Sequence, residues 1–229
     1  MTAALDVVIP TLDAAATLAR TLTALRDAEG PLRATVTVCD GGSRDATVAI
    51  ARESGAAVVN APPGRGGQLA AGAAAGSAPW LLFLHADTVP GSGWIETVQR
   101  FQSEPANLAK AGYFRLRLAS TDARARRIER LVDWRCRTLG LPYGDQGLLM
   151  ARSFYRHVGG FRPLPLMEDV DLARRIGRRH LVPLESDAVT SAARYERGGW
   201  FARPARNLTC LALYSAGVPP HVIARLYGR

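Results

Sequence analysis

Four short clusters in this chain carry side chains able to do chemistry. In the first, the apolar run Leu81-Leu82-Phe83-Leu84 leads straight into His85-Ala86-Asp87-Thr88. A brief apolar run closed by polar residues reads as a strand buried on both faces, and open α/β sheets bind ligands beyond the carboxyl ends of such strands. A carboxylate there can hold a hard cation such as Mg2+, which prefers oxygen ligands and shares its shell with substrate phosphates, or it can act as a general base. Asp87 suits the cation, with phosphates completing the shell. His85 is open between a ligand and a structural hydrogen-bond partner. The second cluster is Asp40-Gly41-Gly42-Ser43. Asp40 can accept from a nucleobase N–H while the glycines let backbone approach the ligand, or it can close an Asx turn. The third, Gly64-Arg65-Gly66-Gly67, resembles an anion-binding loop with a helix start behind it, without the Gly-Lys-Ser/Thr of a P-loop. The fourth, Met167-Glu168-Asp169-Val170-Asp171, puts three acids where a helix opens. A cap uses one. Another can serve as a base, since neighbouring acids raise each other's pKa while helix N–H groups lower it.

These clusters must be positioned by regular elements. Leu5–Ile9 reads as a first strand ended by Pro10-Thr11, with Asp13 capping a helix whose Leu18, Leu22 and Leu25 keep helical spacing. Gly30-Pro31 breaks that helix. Residues 34–39 alternate as a second strand, a helix runs from about Asp45 to Glu53, and Ala56–Val59 forms a third strand. A helix of small residues and the strand before His85 complete a βαβαβαβ run, parallel by the right-handed crossover rule. Polar residues then fall in phase at one sheet edge: Thr11 and Asp13, Asp40, Arg65, Asp87.

The pattern changes after Asp87. A helix carries Trp94, Ile95, Val98 and Phe101, and residues 111–118 alternate as a half-exposed strand. An Arg-rich helix over 122–138 has Ile128, Leu131 and Trp134 as its apolar stripe. Tyr143–Gly147 is a glycine-rich turn before a strand at Leu148–Met150, and a short helix follows at Phe154–Val158. From Gly198 on, two helices flank Gly217-Val218-Pro219-Pro220. They are read either as packed on the domain or a second subunit, or as a basic amphipathic element on a membrane surface.

Composition narrows the class. The 229 residues suit one sizeable α/β domain, and 48% hydrophobic with 21% charged residues is a globular balance. The formal charge is 29 − 20 = +9, almost all of it Arg, which favours anionic partners such as phosphates, acidic headgroups or nucleic acid. Cys39, Cys136 and Cys210 are far apart and form no CxxC pair, which fits a reducing cytoplasm rather than a disulfide or zinc framework. No signal peptide is expected, and Pro79 divides the charge-free stretch Leu69–Ala86, so it is not expected to span a membrane.

Taken together, Val7-Val8-Ile9-Pro10-Thr11, Cys39–Thr47, Leu84-His85-Ala86-Asp87 and Met167–Leu172 resemble, in order and spacing, the inverting family-2 glycosyltransferases of GT-A fold. The His-Ala-Asp form, Gly64–Gln68 and Asp145-Gln146-Gly147 are similar to a small bacterial subgroup, the transferase-2 proteins associated with radical-SAM/selenodomain proteins. The resemblance implies an α/β, GT-A-like fold: a Rossmann-like nucleotide half over 1–89 with a mixed central sheet, an acceptor half over 90–197, and a helical appendage over 198–229. It implies that Pro10, Thr11 and Asp13 line the nucleotide pocket, that Asp40 with Gly41 meets the base, and that Arg65, Gly66 and Arg194 face the diphosphate. Asp87 would bind the divalent metal, Mn2+ or Mg2+, with His85 standing where the family's first Asp would be. Asp169, beside Glu168, would be the catalytic base. Asp145, Gln146 and Trp134 would face the acceptor. The implied partners are a UDP-sugar donor and an unidentified hydroxyl acceptor, in a cytoplasmic protein that peripherally contacts a membrane or forms a homodimer, with no nucleic acid. The alternatives are a sugar-nucleotide nucleotidylyltransferase, which would carry a basic glycine-rich loop after its first strand, and a basic non-catalytic protein binding nucleic acid or membrane.

Overall fold

The computed structural model describes residues 4–26 and 33–227, so the break expected at Gly30-Pro31 lies outside the described residues. Eight strands form one sheet in the order β3-β2-β1-β4-β7-β6-β8-β5. The first four strands are β1 (Leu5–Thr11), β2 (Ala34–Asp40), β3 (Ala57–Asn60) and β4 (Trp80–Phe83). They pair in parallel through α1 (Ala15–Arg26), α2 (Thr47–Glu53) and α3 (Arg65–Ala75). All seven residues of β1 are buried. The strand runs through Pro10 to Thr11, two residues past the expected end, because β2 stays paired opposite them, Pro10 with Cys39 and Thr11 with Asp40. On the β4 side the last bond is from Leu84 N to the Val8 carbonyl at 3.0 Å, just past the end of β4. Pro10 faces the same side two residues on, where no strand remains to be paired, so its missing N–H breaks no ladder bond. The stretch Leu69–Ala86 divides into the end of α3 and β4. Among the described residues no helix is long and apolar enough to cross a membrane.

The second half adds β5 (Thr88–Pro90), α4 (Trp94–Ser103), β6 (Ala111–Ala119), α5 (Ala123–Leu139), β7 (Leu148–Ala151), α6 (Arg152–His157), α7 (Glu168–Ile176) and β8 (Leu181–Ser191). Strand β7 is antiparallel to both β4 and β6, which makes the sheet mixed. Strand β8 has no counterpart in the sequence reading, since Pro183, Glu185, Ser186 and Asp187 mask its alternation. It nonetheless fills a place between β6 and β5, with a register shift beside Tyr113. Strand β6 is therefore more enclosed than expected, with Tyr113, Phe114, Leu116 and Leu118 all buried.

The apolar stripe expected on α5 is corrected. Ile128 is buried, but Leu131 is 63% and Trp134 57% exposed. The inner face is Ala125, Ile128, Glu129 and Cys136. Glu129 takes an inner seat because Leu118 N donates to it at 2.8 Å and Arg117 and Arg126 pair with it at 2.9 and 2.8 Å, which offsets the desolvation of its charge. The chain closes with α8 (Ala193–Gly198), α9 (Ala202–Ser215) and α10 (Pro220–Tyr227). Cys210, Leu211, Ile223 and Ala224 of the last two helices pack on Leu141, Leu166 and the α7 residues Val170 and Ala173.

Candidate active site

The carboxyl ends of β1, β2 and β4, the start of α3, the 143–147 turn and the start of α7 meet along one edge of the sheet. Helix α7 begins after Met167, whose φ of 66° is an uncommon backbone state for a side chain of that size. The three acids of its first turn divide their roles. Asp171 is an internal anchor, paired with Arg162 at 3.1 Å and Arg175 at 2.6 Å. Glu168, 2% exposed, forms an ion pair with Arg65, whose Nε lies 3.0 Å from its carboxylate. Asp169 faces the cleft, and its carboxylate is fixed by Gly144 N at 3.0 Å and Val170 N at 2.8 Å.

Arg65 links three of these elements, since its Nη1 also lies 3.4 Å from His85 Nε2. A Cβ at Gly144 would collide with that same histidine nitrogen, so the glycine lets the 143–147 turn seat directly on the strand end. Arg65, His85, Asp87, Asp145 and Asp169 thereby line one cleft together. Burial pushes the Asp145 carboxyl upward, the charges of Asp169 and Asp87 push it further, and Arg135 and Arg203 oppose them. Among the described residues no three His, Cys, Asp or Glu side chains converge as a metal-binding set.

Other expected site residues sit elsewhere. The Asp40 carboxylate is filled by its own turn: Thr11 and Ser43 hydroxyls donate to Oδ1, and Gly42 N and Ser43 N donate to Oδ2 at 2.9 and 2.8 Å. Burial raises its proton affinity, but the hydrogen bonds from Ser43, Gly42 and Thr11 outweigh it and hold Asp40 below the usual carboxylate range. A base contact at Asp40 requires one of these donors to turn away, and the Ser43 hydroxyl is a rotor able to do so. Asp13 is no helix cap. It adopts φ 49° and accepts from Arg44 N at 2.8 Å, while the α1 start receives Thr47 Oγ1 at Ala14 N and Asp45 Oδ2 at Ala15 N. Pro10 and Thr11 are buried at the end of β1.

Gly41 and Gly66 are glycines for packing. A Cβ at Gly41 would press on the Gln68 side chain, which itself donates to Thr11 O and Cys39 O, and a Cβ at Gly66 would collide with the Arg162 carbonyl. Gln146 is 1% exposed and lies outside the cleft lining, its amide spent on Phe114 O, Arg135, Cys136 and Tyr143 N. It shapes the turn carrying Asp145. Trp134 is also absent from the lining. Arg194 falls on α8, and its side chain lies outside the described residues.

The cleft has a wall that motif reading missed. Thr190 and Ser191 reach it from the end of β8, Tyr195 from α8, and Arg203 and Asn207 from α9. Arg203 and Asn207 come from the stretch that the sequence reading sets apart as a helical appendage over 198–229. Arg135, on α5, stacks 3.5 Å over the ring of Tyr143, another cleft residue.

A family model described as Glycosyl transferase family 2 matches residues 6–155. No curated protein matches the chain by sequence. Among solved structures, glucosyl-3-phosphoglycerate synthase from Mycobacterium tuberculosis superposes with a TM-score of 0.63 at 20% identity, over 95% of this chain and 81% of that one. TarS from S. aureus, residues 1–349, superposes with a TM-score of 0.61 at 14% identity, over 81% of this chain and 57% of that one. At such identities the likeness is one of fold.

Proposed function

The chain belongs to glycosyl transferase family 2, and on that premise we propose that it moves a sugar from a nucleoside-diphosphate sugar to an acceptor hydroxyl with inversion at the anomeric carbon. The observation that carries this reading is the single cleft in which Asp169, oriented by two backbone N–H groups, shares walls with Asp87 and Arg65. UDP is the favoured nucleotide. The mycobacterial synthase, which shares the fold, has been solved with UDP and Mn2+ or Mg2+, and with UDP-glucose.

In this reading Asp169 takes the proton of the acceptor hydroxyl as its oxygen attacks the anomeric carbon, and the nucleoside diphosphate leaves from the opposite face. The Gly144 and Val170 N–H groups aim its carboxylate. Arg65 is held by Glu168, so its charge is set in place before the diphosphate charge develops. Asp87 fits a divalent cation in the manner such ions favour, one protein carboxylate with donor phosphates completing the shell. When bound, the cation would supply neutralisation of the diphosphate. His85, seated against Arg65 and Gly144, orients that corner. The acceptor would lie toward Tyr143, Asp145, Tyr195, Arg203 and Asn207. Residues 198–229 then belong functionally with the acceptor half, rather than as a separate appendage. The radical-SAM-associated subgroup remains part of the proposal, on Gly64–Gln68 and Asp145-Gln146-Gly147.

Thermal-shift titration with UDP, UDP-sugars and other nucleoside diphosphates, with and without Mn2+, tests the reading. UDP with Mn2+ is expected to stabilise the protein by mass action, by about 2.7 kcal/mol at a hundredfold excess over Kd. Asp87→Ala should abolish the metal-dependent part. A wild-type chain indifferent to every nucleotide, with or without metal, would refute the proposal.

A further inference from the structure

Helix α5 presents an outer face that its own fold leaves uncovered. Arg127, Arg130, Leu131 and Trp134 follow one another at helical spacing on that face, and all four are exposed. The opposite face is already committed to Ala125, Ile128, Glu129 and Cys136. Leu131 and Trp134, at 63% and 57% exposure, are thus apolar side chains turned away from the core. Arg127 and Arg130 form no salt bridge among the described residues. The apolar surface continues across the neighbouring corner. Arg124 of α5 lies 5.3 Å over the Trp200 ring, and next to Trp200 stand Phe201, 73% exposed, and, further along α9, Leu208, 66% exposed. That corner borders the cleft, since Tyr195, which stacks on Trp200, lines it.

We infer that this face, built from α5 and the start of α9, docks on an anionic bilayer surface. The pattern is that of an interfacial element: Trp, Leu and Phe at the headgroup–acyl boundary, with unpaired arginines beside them to meet lipid phosphates. Charge complementarity selects this occupant, because the chain carries +9 overall and the α5 face adds two arginines without acidic partners. The cleft mouth would then face the headgroup layer. The inference stands on surface chemistry and does not depend on the transfer reading.

Co-sedimentation of the full chain with phosphatidylcholine vesicles, with and without phosphatidylglycerol, tests it. Binding is expected only with the anionic lipid, and it should weaken as salt rises. Leu131→Ser with Trp134→Ser should lower partitioning about tenfold or more, the scale of withdrawing large apolar side chains from a nonpolar phase. Arg127→Gln and Arg130→Gln should each lower it about fivefold. All of these positions are exposed, so thermal melting is expected to be unchanged. Fluorescence gives a separate readout, because Trp80, Trp94 and Trp200 are buried and Trp134 alone of the four tryptophans is exposed. Anionic vesicles should shift the emission to shorter wavelength in the wild type and leave it unmoved in Trp134→Ser. Failure to bind anionic vesicles would overturn the inference, as would binding that survives these substitutions. Self-association abolished by the double serine variant, without vesicle binding, would assign the face to a second copy instead and overturn it equally.

Discussion

Replacing Arg152 by Leu should be one of the most damaging single changes in the molecule. Arg152 opens α6 directly after β7, and its side chain is 8% exposed. It pairs with Asp6 of β1 at 2.5 Å, donates to Ala78 O at 2.6 Å and also reaches Ala73 O. One guanidinium therefore joins β1, the chain between α3 and β4, and the β7–α6 junction, which ties the parallel half of the sheet to the antiparallel half. The far ends of those strands carry Thr11, His85 and the Asp145 turn. Leu fills the volume but leaves Asp6, whose side chain is 7% exposed, with Ala78 N at 2.9 Å as its remaining donor. Breaking a buried pair in this way costs about 3–5 kcal/mol. That is a large part of a domain's total stability of roughly 5–15 kcal/mol, and corresponds to a fall in Tm on the order of 10 °C. Urea unfolding at neutral pH measures it. Adding Asp6→Leu should recover part of the loss, because the stranded charge is removed. About 1–3 kcal/mol should persist, since the Ala73 and Ala78 carbonyls still lack their donor. A single variant that loses less than about 1 kcal/mol, or a double variant no better than the single, would show that the ion pair does not hold the two halves together.

The remaining predictions address the site. Asp169→Asn keeps the shape and an acceptor oxygen for one of the two N–H groups, Gly144 and Val170, which donate to separate oxygens of the carboxylate, so it should lower turnover about 10²–10⁴-fold with nucleotide affinity unchanged; an equal collapse of both would make Asp169 structural. Asp145→Asn should stabilise the protein at neutral pH. Burial raises this carboxyl above its ordinary value of 3.8, so the folded state binds the proton more tightly than the unfolded chain, and stability falls as pH rises from about 3.8 toward the folded-state pKa. The stabilisation should therefore vanish below that window, and unfolding curves at pH 3 and pH 7 check it. Gly66→Ala should cost about 1–3 kcal/mol by overpacking against the Arg162 carbonyl, whereas Gly67→Ala, where nothing lies within 4 Å of the added Cβ, should be tolerated; equal effects at both would discount the close approach.

How far the fold could be read in advance follows from how local its causes are. The parallel half was legible because its elements are set by neighbours in sequence: the apolar run before His85 and the Leu18/Leu22/Leu25 spacing. Asp87 and Asp169 were legible for the same reason, as carboxylates following a buried strand or opening a helix. The strand Leu181–Ser191 was not, because Pro183 and its polar residues are tolerated only where β6 and β5 supply the pairing.

The same division runs through the site. Residue type and spacing by themselves determined the parallel βαβ half and the acids at its edge, since strand burial and helix starts are local properties of the chain. Tertiary structure alone decided which groups are committed elsewhere and which face the cleft. Asp40 is filled by donors from Thr11 and its own turn. Gln146 is drawn inward by Phe114 O and Arg135, and Arg203 is brought to the cleft by a helix packed on α7. The outward turn of Leu131 and Trp134 is of this kind too, because Glu129 takes an inward place only where Arg117, Arg126 and Leu118 N satisfy its charge. A hydrogen bond or ion pair between distant residues sets whether a polar side chain is buried, and that partner is chosen by the fold.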